Sequence, residues 1–385
     1  MADANITFFP VDNGDTVLIK LSDKSSIIID CNIRCDSHDE EEESCYDVHS
    51  HLLDELQRDD KDRPYADAFI LTHPDQDHCR GFQTSFHTGD PDTYKKKEDE
   101  PEKIIMGEIW FSRRIFSNYE DPLTEDAKAF KKEVERRIKL YKNKDSRRNV
   151  QGNRLRVIGY GESEETKGLD EITTAPGNSI NLINGSAKKD FSFFVHAPFK
   201  RDVDSDVCKR NNTSIVLQAN FKVDNTERAS LILLGGDAHW DVWRAIQRRS
   251  KKESLEWDLL LSPHHCSWTF FNNTPYAENK TPQKSSLDVL EHHRTGAFVV
   301  ASSKPIKDDD CNPPHYPAKQ EYVKVVGNKN FFCVGEIPSE KKPEPLIFKM
   351  TSNGPVRDSS STPSRVRSAS AVQSTLRSPR TYGHK

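Results

Sequence analysis

The chain has 385 residues, of which 34% are hydrophobic and 30% are charged, and its formal net charge is −5. This size allows one large domain or two medium ones with an adequate core, and the small net charge excludes a basic field over the whole surface. No apolar run reaches the length of a membrane span, about 18 residues, and the first residues lack the order of a signal peptide. The 8 cysteines form no Cys-x-x-Cys pair. We therefore expect a cytoplasmic protein with free thiols and no membrane association.

The N-terminal part of the sequence is typical of β-strands followed by a short helix. Apolar runs separated by short polar turns predict strands that are joined as hairpins. These strands are predicted at 6–9, 16–21 and 26–29. A short helix is predicted over 47–58. The apolar run at 67–72 then predicts a buried strand, which ends at a polar cluster that begins with His73.

Residues 84 to about 175 are predicted to form an insertion that is rich in charge. Within it a helix should begin at Asp121 and Pro122, because proline is favoured in the first turn of a helix. Apolar side chains then recur at helical spacing, which predicts that this helix packs against the body of the protein. These side chains are Ala127, Phe130, Val134, Ile138 and Tyr141.

Strands return after about residue 178, and helices alternate with them. Two series of strands with helices between them suggest an α/β fold of the αββα sandwich type. The clearest of these strands are at 191–196, 214–217, 230–234, 259–262 and 298–302. From about residue 355 serine and basic residues replace large apolar ones. We therefore predict a main domain over 1–345 and a disordered basic tail over 355–385.

The strand predicted at 67–72 runs directly into His73, Asp75, Asp77 and His78. Four strong metal ligands thus fall within six residues, and imidazole and carboxylate groups are the usual ligands of zinc and manganese. A need for solubility would not explain why two histidines and two aspartates directly follow a buried strand. The stretch therefore predicts part of a metal site, although one loop cannot complete two such sites.

Two later clusters of polar residues also follow predicted strands. Asp237 ends one of them and could bridge two metal ions, whereas His264 and His265 end another. Each cluster alone is weak evidence, because turn aspartates and strand-end histidines are common. Their order and context favour convergence on the loop at 73–78, with one of the two adjacent histidines as a ligand.

In these motifs the chain resembles the metallo-β-lactamase superfamily and is most similar to its ComEC-like branch, which includes the hydrolase domain of bacterial DNA-uptake channels. The resemblance covers roughly residues 5–340. It rests on five motifs in the order of that family. They lie at 11–15 with 28–30, 72–81, 212–217, 234–237 and 264–267.

The resemblance implies an αββα metallo-β-lactamase sandwich with two divalent metal ions, either zinc or manganese. It implies a catalytic role for Asp77 beside its role as a ligand. It also implies that His196 is a metal ligand and that His315 contacts the scissile group or donates a proton, although a strand-end or turn position explains each histidine as well. Cys266 stands where the family has glycine, which would narrow the pocket or place a thiol near the metals.

Two metal ions bridged by a carboxylate activate water and stabilise a developing oxyanion, which suits hydrolysis of phosphodiesters, esters, amides or lactams. The resemblance favours a phosphodiesterase or nuclease with a nucleic acid or nucleotide substrate. Stand-alone relatives in bacterial anti-phage loci also imply a defence role, with protein partners encoded in the same locus. The alternatives are a hydrolase of a small ester, amide or lactam and a non-catalytic metal-binding interaction module. A basic rim formed by 84–175 would favour nucleic acid, and a closed lid would favour a small substrate.

Overall fold

The computed structural model shows a mixed α/β structure. It describes part of the chain. The described residues are 3–34, 45–97, 100–117, 119, 121–160, 164–200 and 210–359. Within these ranges no helix combines the length and the apolar character that crossing a bilayer requires.

The β-strands are short, and most of them are buried on at least one face. In chain order the first of them are β1 (Asn5–Phe8), β2 (Val17–Lys20), β3 (Ser26–Ile29), β4 (Cys31–Asn32), β5 (Gln57–Arg58), β6 (Pro64–Ile70), β7 (Ile105–Phe111), β8 (Arg154–Ile158), β9 (Thr173–Thr174), β10 (Ser179–Ile180) and β11 (Leu182–Ile183). The others are β12 (Ser186–Ala187), β13 (Phe191–Ala197), β14 (Val216–Val223), β15 (Thr226–Leu234), β16 (Trp257–Leu261), β17 (His293–Ala301), β18 (Phe331–Cys333), β19 (Pro338–Ser339), β20 (Lys342–Pro343), β21 (Leu346–Thr351) and β22 (Gly354–Arg357).

The helices vary from a single turn to a long amphipathic segment. In chain order they are α1 (Val48–Glu55), α2 (Gln76–Cys79), α3 (Phe82–Ser85), α4 (Glu125–Lys142), α5 (Trp240–Arg249), α6 (Lys252–Leu255), α7 (Pro263–Cys266), α8 (Lys284–Leu290) and α9 (Tyr316–Val326).

Two large sheets organise the described part of the chain. The first has the strand order β22-β21-β1-β2-β3-β6-β7-β8-β9, with β5 paired to β6, and the second has the order β10-β13-β14-β15-β16-β17-β18. The strands from β3 to β8 in this order are parallel to one another, and so are those from β15 to β17. The loops that follow parallel strands meet at the carboxyl edge of a sheet, which is where open α/β sheets place ligands.

Each large sheet buries apolar side chains on both of its faces. Ile27 and Ile29 of β3 belong to a hydrophobic cluster that also contains residues of β13 to β16, whereas Ile28 belongs to a cluster with α1 and α4. Leu260 of β16 belongs to a third cluster, with α5, α8 and α9. Because successive side chains of a strand point to opposite faces, burial on both faces explains why these strands are runs of apolar residues without alternation.

The apolar stripe of α4 packs against the first sheet, as the helical spacing predicted. Its members Ala127, Phe130, Val134 and Ile138 are buried, and Tyr141 is partly buried against them. The helix begins at Glu125 and not at the proline, because the side chain of Thr124 accepts a hydrogen bond from the backbone N–H of Ala127. A hydroxyl cap of this kind satisfies one of the backbone donors that a helix start leaves free.

Part of the region 84–175, which we predicted to form an insertion, extends the first sheet. β7 and β8 pair in parallel within the first sheet, and α4 crosses over between them. All seven residues of β7 are buried, including Glu108, whose carboxylate lies 3.5 Å from the guanidinium of Arg156. A buried acidic residue and the charged loop before β7 hide this strand from an analysis of apolar runs. These two strands and α4 are therefore part of the sheet and of the layer that packs on it.

The predicted start of a disordered tail at 355 was too early. β22 forms an antiparallel hairpin with β21, in which Thr351 pairs with Gly354. The backbone N–H of Asp358 donates to the carbonyl of Ile347, and its carboxylate lies 2.9 Å from Lys349 Nζ. A serine- and glycine-containing turn is a poor guide here, because it connects two paired strands. The rest of the predicted tail, 360–385, lies outside the described residues.

We expect a chain that ends at residue 353 to be less stable than one that ends at residue 359. The shorter chain loses the four cross-strand pairs of β22, and pairs of this kind contribute about 0.2–1 kcal/mol each, so the free energy of unfolding should fall by about 2 kcal/mol. Urea unfolding of both chains measures the difference. Equal midpoints would show that β22 adds nothing to the stability of the sheet.

The expectation that all thiols are free was wrong. Cys45 is part of a disulfide. Of the other described cysteines, Cys31, Cys79, Cys266 and Cys333 are buried free thiols and Cys311 is an exposed one.

Candidate metal centre

The residues predicted to bind metal lie at the carboxyl edges of both large sheets. The loop at 73–78 follows β6 of the first sheet, Asp237 follows β15, and His264 and His265 follow β16 of the second sheet. Because β6, β15 and β16 all take part in parallel pairing, the polar groups at their ends come from equivalent positions in the two sheets. The two sheets bring these side chains together over a long distance in the sequence.

Asp237 lies between two pairs of imidazoles and offers one carboxylate oxygen to each. Its Oδ1 lies 3.1 Å from Nε2 of His78 and 3.5 Å from Nε2 of His265. Its Oδ2 lies 3.6 Å from Nε2 of His73 and 3.6 Å from Nε2 of His264. One carboxylate therefore connects two sets of nitrogen atoms.

The loop at 73–78 also carries two carboxylates, and each of them lies close to one of these two sets of nitrogen atoms. Asp75 Oδ2 lies 3.4 Å from His73 Nε2, and Asp77 Oδ2 lies 3.2 Å from His265 Nε2. We call the two sets the first and second ligand groups, with Asp237 shared between them. The first consists of His73, Asp75 and His264, and the second consists of Asp77, His78 and His265.

The spacing of these atoms would suit a metal ion, and one ligand atom from each of Asp15, His78, Asp237 and His265 lies within 4.8 Å of the others. Two ligands that lie about 2.1 Å from a tetrahedral ion are about 3.4 Å from each other, and the shared oxygens lie 3.1 to 3.6 Å from the imidazole nitrogens. Nε2 of His73 is buried and makes no hydrogen bond. Buried polar atoms are costly without a partner, and a cation at the first ligand group would supply one.

The pKa values of the buried groups show how strongly the charges in the cluster interact. Burial alone would raise the pKa of Asp237, but the surrounding histidines hold it well below its usual range. Burial would lower the pKa of His265, but Asp237 and a hydrogen bond to Asp77 raise it to about 9. Burial also opposes protonation of His78, whose pKa Asp237 and Asp30 nevertheless raise well above its usual value. The imidazoles of His78 and His265 thus tend to hold protons that a cation would displace, so metal binding at these two residues should release protons.

Asp30, at the end of β3, fixes the orientation of the second ligand group. Its carboxylate accepts hydrogen bonds from the backbone N–H and the hydroxyl of Thr72, at 2.7 and 2.6 Å. Its Oδ2 also lies 2.8 Å from Nδ1 of His78. A carboxylate partner at Nδ1 holds the proton there and leaves Nε2 as the ligand atom, which is how such partners tune metal-binding histidines.

The other three histidines of the cluster also have an oxygen atom near Nδ1. For His73 and His264 the partners are the hydroxyls of Thr72 and Thr269, at 3.1 and 2.9 Å, and for His265 the partner is the carbonyl of Ser302, at 3.0 Å. All four Nε2 atoms consequently face Asp237. The orientation of the imidazoles is therefore set by the protein and does not depend on the ions.

Asp30→Asn should weaken metal binding without unfolding the protein. Asparagine has one side-chain oxygen where aspartate has two, so it cannot keep all the hydrogen bonds to Thr72 and His78. The ring of His78 then loses the partner that holds its Nδ1 proton, and metal affinity should fall about 10- to 100-fold. Calorimetric titration with zinc measures the affinity. Asp67→Asn is a matched control, because Asp67 also accepts a backbone N–H in the first sheet, from Ser26. Equal zinc affinity of Asp30→Asn and wild type would contradict the assigned role.

The two adjacent histidines reach different ligand groups because the backbone of α7 is left-handed. His264, His265 and Cys266 have φ values of 51°, 52° and 67°, a conformation that costs about 1–2 kcal/mol for each residue with a side chain. Hydrogen bonds from His264 N to Gly236 O and from Ser267 N to His264 O hold the turn. We expected one of the two histidines to be a ligand, and the structure brings both to Asp237.

Cys266 does not extend toward the ligand groups. It is buried in the hydrophobic cluster that lies between the second sheet and its helices, together with Trp243, Tyr322 and Cys333. The expectation that its thiol stands near the metals was therefore wrong. A side chain at this left-handed position points into the core, so it neither narrows the cluster nor adds a ligand to it.

The structure does not bring His196 to the ligand groups. Its Nδ1 lies 3.4 Å from the hydroxyl of Ser250, and its ring contacts Phe194 at 4.9 Å. Val195 points into the core between the sheets, and His196 instead contacts the segment that follows α5, on the helix-covered face. The strand-end position predicted the right edge of the sheet and the wrong face.

His315 lies beside α7, although no ligand atom of the cluster is among its described contacts. Its backbone N–H donates to the carbonyl of Cys266, and its ring lies against Trp268 and Tyr276, at 5.9 and 5.0 Å. The neighbouring Asn312 accepts hydrogen bonds from the hydroxyl of Ser267 and the backbone of Trp268. The segment thus supports the turn that carries His264 and His265.

Two acidic residues of the site have no predicted role in the sequence. Asp30 is one, and Asp15 is the other: its carboxylate lies 3.7 Å from Nδ1 of His265 and 3.9 Å from Nδ1 of His78. The sequence does contain a signal for both residues, because Asp15 ends the polar turn at 11–15 and Asp30 ends the apolar strand at 28–30. Gly14 before Asp15 is needed for close approach, since a β-carbon there would lie 2.6 Å from the carbonyl of Asp77.

No family model matches this chain, and no curated protein matches it. Among solved structures, the crystal structure of unliganded yeast PDE1 is similar, with a TM-score of 0.39 and 12% sequence identity over 86% of this chain and 98% of that chain. A likeness of this degree carries no argument about fold or function. The proposals below rest on the geometry of the two ligand groups.

Proposed function

We propose that this chain is a metal-dependent hydrolase of the metallo-β-lactamase type, whose two ligand groups hold two divalent ions, zinc or manganese. The observation that carries the proposal is the carboxylate of Asp237, each oxygen of which faces a separate pair of imidazoles. The three hydrophobic clusters support an αββα order of layers, because one cluster joins the two sheets and the other two join a sheet to its helices.

The exposure of the ligands indicates the side from which a substrate approaches. The side chains of Asp77, Asp75 and His264 are 34%, 22% and 18% exposed, whereas that of the shared Asp237 is 3% exposed. When bound, two divalent ions lower the pKa of water and stabilise negative charge on the reacting oxygen atoms. Asp77 and Asp75 would hold and orient them on the open side, and Asp237 would fix them from the buried side.

The substrate class that we propose is a phosphodiester, in nucleic acid or a nucleotide. Within the described residues, β7 and β8 of the region 84–175 extend the first sheet. Arg114 follows β7 and lines a small depression together with Thr72 and His73. A guanidinium suits the oxygens of a phosphate group, with which it makes paired hydrogen bonds. The convergence of four imidazoles and three carboxylates also argues against a purely non-catalytic module.

A panel of substrates tests this proposal. Purified protein is incubated with zinc or manganese and with labelled single- and double-stranded DNA, RNA and a chromogenic phosphodiester, and in parallel with a chromogenic ester and a chromogenic lactam. We expect cleavage of phosphodiesters that a chelator abolishes and added metal restores. Cleavage of the ester or lactam alone would assign the hydrolase to small substrates, and no cleavage of any substrate would contradict the hydrolase itself.

A further inference from the structure

A cavity of about 490 Å³, apart from the metal centre, lies where His196 meets the segment after α5. The described residues that line it include neither Asp237 nor any of the six residues of the two ligand groups. The cavity has the size of sites that take small organic ligands. Its aromatic lining residues are Tyr160, Phe194 and Phe199, and its polar ones include His196, Arg249, Ser250, Lys251 and Ser254.

Basic side chains are among the described residues that line this cavity. Arg249 and Lys251 are exposed lining residues, and none of the described lining residues carries a carboxylate. The guanidinium of Arg249 lies 4.4 Å from the centre of the Phe199 ring, which holds the charge over an aromatic surface. Cationic groups next to aromatic faces suit a ligand that combines an anionic group with a flat ring.

His196 supplies a polar atom at the buried side of the cavity. The residue is 2% exposed, its Nδ1 lies 3.4 Å from the hydroxyl of Ser250, and the backbone of Ser254 is a further hydrogen-bond partner of the ring. Burial lowers the pKa of His196 to about 4, so the imidazole is neutral near neutral pH and one of its nitrogens carries a proton. A neutral imidazole can donate or accept, so the ring of His196 offers a polar group to a ligand at the buried side of the cavity.

We propose that this cavity is a second binding site, separate from the metal centre, for a small aromatic anion of the nucleoside monophosphate type. Arg249 and Lys251 would bind the anionic group at the mouth. The aromatic side chains would contact the ring, and the imidazole of His196 would form a hydrogen bond with it inside. The site does not depend on the proposed hydrolase, because it shares no side chain with the ligand groups.

Calorimetric titration with adenosine monophosphate tests the proposal. The titration uses the full chain carrying Asp237→Asn and a chelator, so that the metal centre does not compete for the phosphate. We expect saturable binding of one molecule for each chain, weakened at least tenfold by Arg249→Gln and by His196→Phe. Arg248→Gln is the matched control, because Arg248 is an exposed neighbour on α5 that does not line the cavity.

Three outcomes would overturn the second site. The first is the absence of saturable binding at millimolar adenosine monophosphate. The second is an equal loss in Arg248→Gln and Arg249→Gln, which would indicate unspecific attraction to positive charge. The third is binding of inorganic phosphate as tight as that of the nucleotide, which would exclude a role for the ring. Circular dichroism reports whether His196→Phe folds, and Arg249→Gln, at an exposed position, tests the site if it does not.

Discussion

Replacing Asp237 by asparagine should abolish hydrolysis and remove the ability of the chain to hold two ions. Each carboxylate oxygen faces one ligand group, and asparagine offers one oxygen without charge. Both ions would lose an anionic ligand and the connection between them. Charge stabilisation by metal ions is worth several kcal/mol, so the rate of phosphodiester cleavage should fall by about 100-fold or more. Single-turnover cleavage of a labelled oligonucleotide measures this loss.

A control must separate the loss of metal from the loss of a buried carboxylate. Asp258→Asn is suitable, because Asp258 is buried in the same sheet, accepts a hydrogen bond from the backbone N–H of Leu231 and lies 3.4 Å from Arg294. We expect this variant to cleave as wild type does once it is folded. Cleavage by Asp237→Asn at the rate of wild type would show that the metals, or the activity, are located elsewhere.

Asp77→Asn should also remove most of the activity, but through one ligand group only. Burial would raise the pKa of Asp77, yet its hydrogen bond to His265 holds the pKa well below the usual range, so the carboxylate is ionised near neutral pH. Asparagine keeps the shape and loses this charge, which an ion in the second group needs. We expect a loss of about 100-fold or more in single-turnover cleavage.

The comparison of the two variants adds information that neither gives alone. The first ligand group, with His73, Asp75 and His264, does not include Asp77, so Asp77→Asn should keep one ion where Asp237→Asn disturbs both. Circular dichroism of both proteins controls for folding. If Asp77→Asn cleaves as fast as wild type, the activity belongs to a contaminant or to another site, and the role of the loop at 73–78 is refuted.

The ligand residues could be found in the sequence because each follows a strand that the sequence shows clearly. The loop at 73–78 keeps its donors within six residues, and a run of leucines marks the strand before Asp237. The residues that orient the ligands are different. Asp30 binds Thr72 and His78 across 42 and 48 residues, and no local pattern reports a hydrogen bond that only the assembled sheet creates.

The misassigned segments of the fold share a physical cause. β7 carries the buried Glu108, and β22 follows a polar turn and is exposed at Val356, so neither strand has the apolar pattern of a central strand. Tertiary pairing, and not composition, keeps both in the sheet. His196 shows the complementary limit, because alternation along β13 places it on the face opposite Val195, and the end of a strand does not by itself tell which face a residue takes.

Metal analysis of the purified protein tests the central claim most directly. Elemental analysis after loading with zinc or manganese and removal of free ions should find two ions for each wild-type chain and one for Asp77→Asn. Asp237→Asn should retain fewer ions than either, because it removes the carboxylate that both groups share. Two tightly held ions in Asp237→Asn, or none in the wild-type protein after loading with either metal, would contradict a dinuclear centre built around Asp237.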